Sequence, residues 1–132
     1  MSDPADLMEE ARDAAERSYS PYSRFRVGAV VLAEDGRHFA GCNVENAAYG
    51  SSICAEANAI STAAAAGVRR ITAMAVACLE SAECYPCGNC RQLMREFDVA
   101  EVVVQDGAEG FRTVAFADLL PHSFGPEHLP DR

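Results

Sequence analysis

The sequence predicts a three-layer α/β/α sandwich around a mixed sheet of five strands, in one domain over residues 1–132. Three observations carry this. Segments of helical and strand character follow one another in the order α-β-β-α-β-α-β-β, which layers helices on a sheet. Two strand segments, "ITAMAVACL" (Ile71 to Leu79) and "EVVVQ" (Glu101 to Gln105), run apolar with little alternation, as strands covered on both faces do. No internal repeat and no linker composition interrupts 132 residues, enough for one modest core.

Each element has a local cause. Residues 3–18 carry a helical stripe of Leu7, Met8, Ala11, Ala14 and Ala15, opposed by Glu9, Glu10, Arg12, Asp13 and Glu16. Asp3 suits the N-cap and Pro4 the first turn. "SPYS" at 20–23 ends that helix. "FRVGAVVLAEDGRHFAGCNVEN" reads as a hairpin, with strands Val27–Ala33 and His38–Val44 and a turn at Asp35-Gly36. An alanine-rich helix follows from Cys54 to Ala66, with Gly67 as its C-cap. After the first buried strand, a third helix begins at Pro86-Cys87 and runs to Phe97. The second buried strand, a turn over "DGAEG", a short strand at Phe111–Val114 and a helical turn at Phe116–Leu120 complete the order. The tail "PHSFGPEHLPDR" is broken by proline and reads as irregular.

Composition narrows the function classes. Hydrophobic residues make up 49% and charged residues 23%, which excludes a disordered chain. No apolar run reaches the length of a membrane span, and the acidic, polar start is unlike a signal peptide, so the expectation is a cytoplasmic protein with no membrane partner. The net charge is −9, from 20 acidic residues against 11 arginines and no lysine. Such a surface is repelled by a phosphate backbone, which disfavours a nucleic acid polymer but not a small neutral ligand. Six cysteines without an export signal point to metal binding or reactivity rather than a disulfide framework.

Two segments concentrate that chemistry: Cys54-Ala55-Glu56 and Pro86-Cys87-Gly88-Asn89-Cys90. They lie one helix and one strand apart, so a helix–strand–helix unit brings both to helix N-termini at the same end of the sheet. Zinc binds thiolate, and a helix N-terminus favours an anion through its free N–H groups and dipole. Cys87 and Cys90, three residues apart, face one side of a first turn, and Cys54 approaches from the other helix. Three thiolates leave one tetrahedral position open, the pattern of a catalytic rather than a closed structural site. Glu56, two residues past a ligand, can face the cavity without ligating and shuttle protons there. A closed site with Cys42 or Cys84 as fourth ligand, and a redox dithiol, stay open as alternatives. None of the histidines offers a ligand position: His38 follows the hairpin turn and is expected exposed, and His122 and His128 lie in the tail.

With those motifs in place, the chain resembles the small homotetrameric cytidine deaminases. "SPYSRFRVGA", "GCNVENAAYG", "CAE" and "PCGNCRQ" follow that family's order and spacing, and "LLPHSF" is similar to its C-terminal end. The resemblance implies a cytidine deaminase-like fold and hydrolytic removal of the 4-amino group of cytidine and deoxycytidine, giving uridine or deoxyuridine and ammonia in pyrimidine salvage. It implies zinc (Zn2+) held by Cys54, Cys87 and Cys90, with Glu56 protonating N3 and assisting the leaving amine. It also implies substrate contacts from Phe25 to the pyrimidine, from Asn43 and Glu45 to the ribose hydroxyls, and from Ala55. Tyr49 and Phe124 resemble residues that reach a neighbouring subunit's site in a homotetramer. One position departs from the pattern: Ala57 stands where family members often carry an arginine beside the ligand thiolates. That gap leaves room for a deaminase of a modified or antibiotic cytosine nucleoside such as blasticidin S; a further alternative, from a different class and needing four protein ligands, is a non-catalytic zinc-stabilised binding protein.

Overall fold

A computed structural model describes residues 2–130. The elements are α1 (Pro4–Ala15), β1 (Val27–Ala33), β2 (His38–Cys42), α2 (Ala55–Ala65), β3 (Ile71–Cys78), β4 (Glu83–Cys84), α3 (Gly88–Glu96), β5 (Glu101–Asp106), β6 (Phe111–Ala115) and α4 (Phe116–Leu119). Single 3-10 turns lie at Tyr49–Ser51 and Pro126–His128.

The sheet is mixed. β1 pairs antiparallel with β2 on one edge and with β3 on the other, and β3 pairs parallel with β5. β6 runs antiparallel along the free edge of β5 from Glu101 to Gln105. The expected five strands are all present. The sixth, β4, is two residues long, and its rungs Glu83↔Asp106 and Cys84↔Gln105 extend the β5 ladder beyond the last β3 rung. Two residues without periodicity leave no signal in the sequence.

Helices cover both faces. α1 buries Leu7, Met8 and Ala11 against Val30, Ala73, Ala75, Ala77 and Val103. α2 and α3 cover the other face, packing Ala59, Ile60, Ala63 and Met94 on Ala29, Val31, Met74, Val76, Val102 and Val104. From Ala73 to Cys78 the residues of β3 alternate between the two layers, which is why that stretch reads as one apolar run. The close approach of α2 needs Gly41. A Cβ there would lie 2.6 Å from the Ala59 nitrogen and 2.8 Å from the Ala55 oxygen, so only glycine lets the start of α2 rest on β2.

Local signals set the helix ends. The Asp3 carboxylate accepts the Asp6 N–H at 3.0 Å. Gly67, at φ 97°, closes α2: its N–H donates to the Ala64 oxygen at 3.0 Å and the Val68 N–H to the Ala63 oxygen at 3.1 Å. The second strand stops two residues earlier than expected, because Val44 leaves the hairpin, exchanges backbone bonds with Ile53 and bridges Tyr19. His38 also departs from expectation. Its ring is partly buried, with one nitrogen against Ser2 Oγ and the other 2.8 Å from the Glu10 carboxylate. Over residues 121–130 the tail is irregular apart from its one turn, and Arg95 of α3 ties it down through Ser123 and Glu127.

Candidate metal and nucleoside site

Cys54 is the N-cap of α2 and Cys87 the N-cap of α3, both with extended backbone and neither thiol spent on capping its own helix. Cys90 occupies the third position of α3 and is buried; Cys54 is half-buried and Cys87 exposed. The ligand atoms of these three cysteines lie within 4.8 Å of one another. Thiolates about 2.3 Å from a zinc ion stand about 3.8 Å apart in a tetrahedron, so the three fit one ion with small rotations. Among the described residues Cys42 and Cys84 fall outside that cluster: the Cys42 thiol donates to the Arg17 oxygen, and Cys84 packs in the core.

The electrostatics match that donor set. Burial, followed by the neighbouring Cys87 and Glu56 charges, pushes the Cys54 thiol up. Burial first, then Glu56 and the two other cysteines, pushes Cys90 up strongly. A cation shared by the cluster would offset that cost and favour the thiolates. Glu56 sits in the first turn of α2 and is 5% exposed. Burial raises its pKa, and its own backbone N–H and Cys90 offset part of the rise, so its carboxyl holds a proton more readily than a free glutamate. The hydrogen bonds of Arg91 go to backbone carbonyls. Its guanidinium donates to the Pro86 oxygen at 2.9 Å and the Leu119 oxygen at 2.7 Å, pinning the turn before Cys87 to the end of α4.

A cleft of about 180 Å³ opens beside the thiols, lined by Phe25, Val27, Asn43, Cys54, Ala55, Glu56, Cys84, Tyr85 and Cys87. Six residues singled out in the sequence therefore meet there. Glu45 and Tyr49 line a neighbouring hollow of about 340 Å³ with Tyr22, Ser23 and Ser52. A depression of about 510 Å³ around Gly67–Arg70 and Ala33–Asp35 contains neither a thiol nor a polar residue of the cluster. Phe124 lies outside all of these, exposed on the tail. Its ring stacks on His128 at 5.7 Å, and its oxygen accepts from Gln92 at 2.9 Å.

Asn43 and Glu45 line two different hollows, and both grasp the chain that carries Phe25. The Asn43 oxygen accepts the Val27 N–H at 2.9 Å and also the Ser18 hydroxyl, while its amide donates to the Phe25 oxygen at 2.8 Å. Glu45 accepts the N–H groups of Tyr22 and Ser23 at 3.0 Å each, plus the Ser23 hydroxyl. These bonds, the Ser23 hydroxyl first, hold the Glu45 carboxyl below the ordinary glutamate range. Val27 and Tyr85 belong to the cleft without having been singled out as site residues, and Cys84, weighed as a fourth ligand, lines it outside the thiol cluster. Tyr85 had one available signal, its place directly before Pro86-Cys87.

Two helix starts presenting three thiols, with a buried carboxylate beside them on an α/β/α sandwich, define a zinc-dependent hydrolase site. The comparisons narrow the class. The description "Cytidine and deoxycytidylate deaminase zinc-binding region" matches residues 1–106. A cytidine deaminase of Mycobacterium tuberculosis is 40% identical over 124 residues, covering 94% of this chain and 91% of that one. One of Sporosarcina psychrophila is 41% identical over 125 residues, covering 93% and 92%. The crystal structure of a cytidine deaminase from Burkholderia pseudomallei superposes with a TM-score of 0.85 at 44% identity, covering 94% of this chain and all of that one. The chain belongs to the cytidine and deoxycytidylate deaminase zinc-binding family.

Proposed function

We propose that this protein hydrolyses the 4-amino group of cytidine and 2′-deoxycytidine, yielding uridine or 2′-deoxyuridine and ammonia. The observation that carries this reading is the meeting of three sulfurs within 4.8 Å beside a carboxylate that is 5% exposed. Cys54, Cys87 and Cys90 hold zinc, which when bound supplies Lewis acidity and an ionised water near neutral pH. Glu56 takes one proton of the water that adds to C4 and delivers it to N3 of the pyrimidine, then takes the proton of the resulting C4 hydroxyl and passes it to the amine as the C4–N bond breaks and ammonia leaves. Its raised pKa suits that shuttling, because a general acid–base works best near the operating pH.

Phe25 and Ala55 flank the base in the cleft. Asn43 retains one of its two amide hydrogens for a sugar hydroxyl after bonding Phe25, and Glu45 retains acceptor capacity beyond its three bonds. Glu45 also disfavours a nearby 5′-phosphate, and a net charge of −9 disfavours a strand, so the substrate is a nucleoside. The reading extends to a single-domain, cytoplasmic homotetramer acting in pyrimidine salvage, whose Tyr49 and Phe124 reach neighbouring sites. Its support is the exposure of both rings, 74% and 56%, outside the thiol cleft.

An absorbance assay with cytidine, deoxycytidine and blasticidin S, with and without a chelator, tests the proposal. Turnover of the first two that stops on chelation and returns with zinc is the expected result. Activity confined to blasticidin S, or indifferent to zinc, refutes it.

A further inference from the structure

Among the described residues two polar side chains are buried, Glu56 and Gln105. Glu56 serves the proposed reaction, and Gln105, 2% exposed, so far serves nothing. A buried amide survives only when its donors and acceptors are matched, so its partners reveal its use. The Gln105 Oε1 accepts the Cys78 N–H at 3.1 Å, and its Nε2 donates to the Ser81 oxygen at 2.9 Å and the Ala82 oxygen at 3.4 Å.

These partners bridge a gap in the sheet. β3 pairs with β5 as far as Val76↔Val104, and β4 takes over at Cys84↔Gln105. Between them the chain leaves the ladder, and one amide replaces the missing rungs. The segment it holds leads directly to the thiols. Cys84 is paired in register with Gln105, Pro86 is fully buried with its oxygen held by Arg91, and Cys87 follows. From Ser81 to Cys87 the chain therefore has little freedom to drift.

We propose that Gln105 is a positioning residue for the metal site, fixing the Ser81–Cys84 segment and thereby the reach of Cys87 toward Cys54 and Cys90. The inference rests on the zinc reading above. A merely structural amide would lower thermal stability alike with and without metal. A positioning amide governs how long the ion is retained, because the site must stay assembled to hold it.

The experiment measures zinc transfer to a chromogenic chelator from zinc-loaded wild type, Gln105→Met and Val30→Ala. Gln105→Met keeps the volume and removes the three bonds. Val30→Ala opens a cavity on the α1 face, away from the thiols, and controls for general destabilisation. Expected is release at least about tenfold faster from Gln105→Met and within about twofold of wild type from Val30→Ala, the loss reported for second-sphere partners being of that order. Release from Gln105→Met within twofold of wild type, or equal acceleration in both variants, overturns the assignment. Should Gln105→Met fail to fold, Gln105→Glu serves: it keeps an acceptor for Cys78 but turns oxygen against the Ser81 and Ala82 carbonyls, and the same thresholds apply. Purified wild type without stoichiometric zinc defeats the metal reading and this inference together. Zinc retained equally well by wild type and variant defeats this inference alone.

Discussion

At the scale of single residues, the proposed chemistry rests on one carboxyl in an environment that resists its charge. Glu56 is enclosed at the start of α2, where burial favours its protonated form and the cleft still reaches it. Glu56→Gln keeps the shape and removes the proton carrier. We expect turnover to fall by about 10³-fold, within the range of general acid–base contributions, while zinc content by elemental analysis stays at wild-type level. Retained activity in that variant rules out the shuttle. Ala57, the next residue, offers the sulfurs no cation, and Arg91 is committed to two carbonyls. Three thiolates on one divalent ion leave a net negative cluster, and the two helix starts offset only part of it. Ala57→Arg is therefore expected to raise kcat by about fivefold, about 1 kcal/mol of barrier. A variant with unchanged kcat and unchanged zinc affinity contradicts this account.

At the scale of elements, the segment from Tyr22 to Arg26 is a strap held by carboxylates. Glu45 binds its first half, and Glu80 binds Arg26 through the backbone N–H at 2.7 Å and the guanidinium at 2.6 Å. Arg24, between them, adopts left-handed backbone at φ 59°, a conformation that non-glycine residues hold only under constraint. Both glutamates sit below their ordinary pKa, Glu45 through Ser23 and Glu80 through the Arg26 N–H. The sign follows: a carboxyl depressed in the folded state contributes fully above its unfolded pKa, and the contribution disappears as pH falls through the folded pKa. The strap, and Phe25 with it, should loosen below about pH 4, the ordinary carboxylate range. Amide hydrogen exchange at Tyr22, Ser23 and Arg26 checks this, and protection that is flat from pH 6 to below the carboxylate range contradicts it.

At the scale of the whole molecule, the sandwich brings three sulfurs together but leaves Tyr49 and Phe124 outside their cleft. Tyr19, Tyr22, Val44 and Ile53 are exposed as well, and Val44 bridges both Tyr19 and Ile53, so apolar surface gathers next to the site. A second copy covering that surface would bury it favourably and complete the cleft. Light scattering is expected to report four chains per particle. Phe124→Ala is expected to raise KM by about tenfold, about 1.4 kcal/mol, without changing that mass, as loss of an aromatic contact to the base from a neighbour would. A monomer that turns over cytidine normally refutes this arrangement.

Much of the protein was legible in the chain. The α1 stripe, the Asp3 cap, the Gly67 stop and the apolar runs of β3 and β5 are local patterns, and local physics sufficed to read them. Cys54, Glu56, Cys87 and Cys90 were legible for the same reason: their spacing within each motif is a local fact, and one intervening strand fixes where two helix starts meet. Other features were settled by the tertiary structure alone. The short β4, the departure of Val44, the partly buried His38 and the bonds by which Asn43 and Glu45 hold the Phe25 strap depend on distant segments. Gln105 is the clearest case. In sequence it ends an apolar strand like any polar exit, and only the divergence of β3 from β5 gives its amide three partners, because hydrogen bonding across a gap is decided by where the chain has been brought and not by the residues on either side.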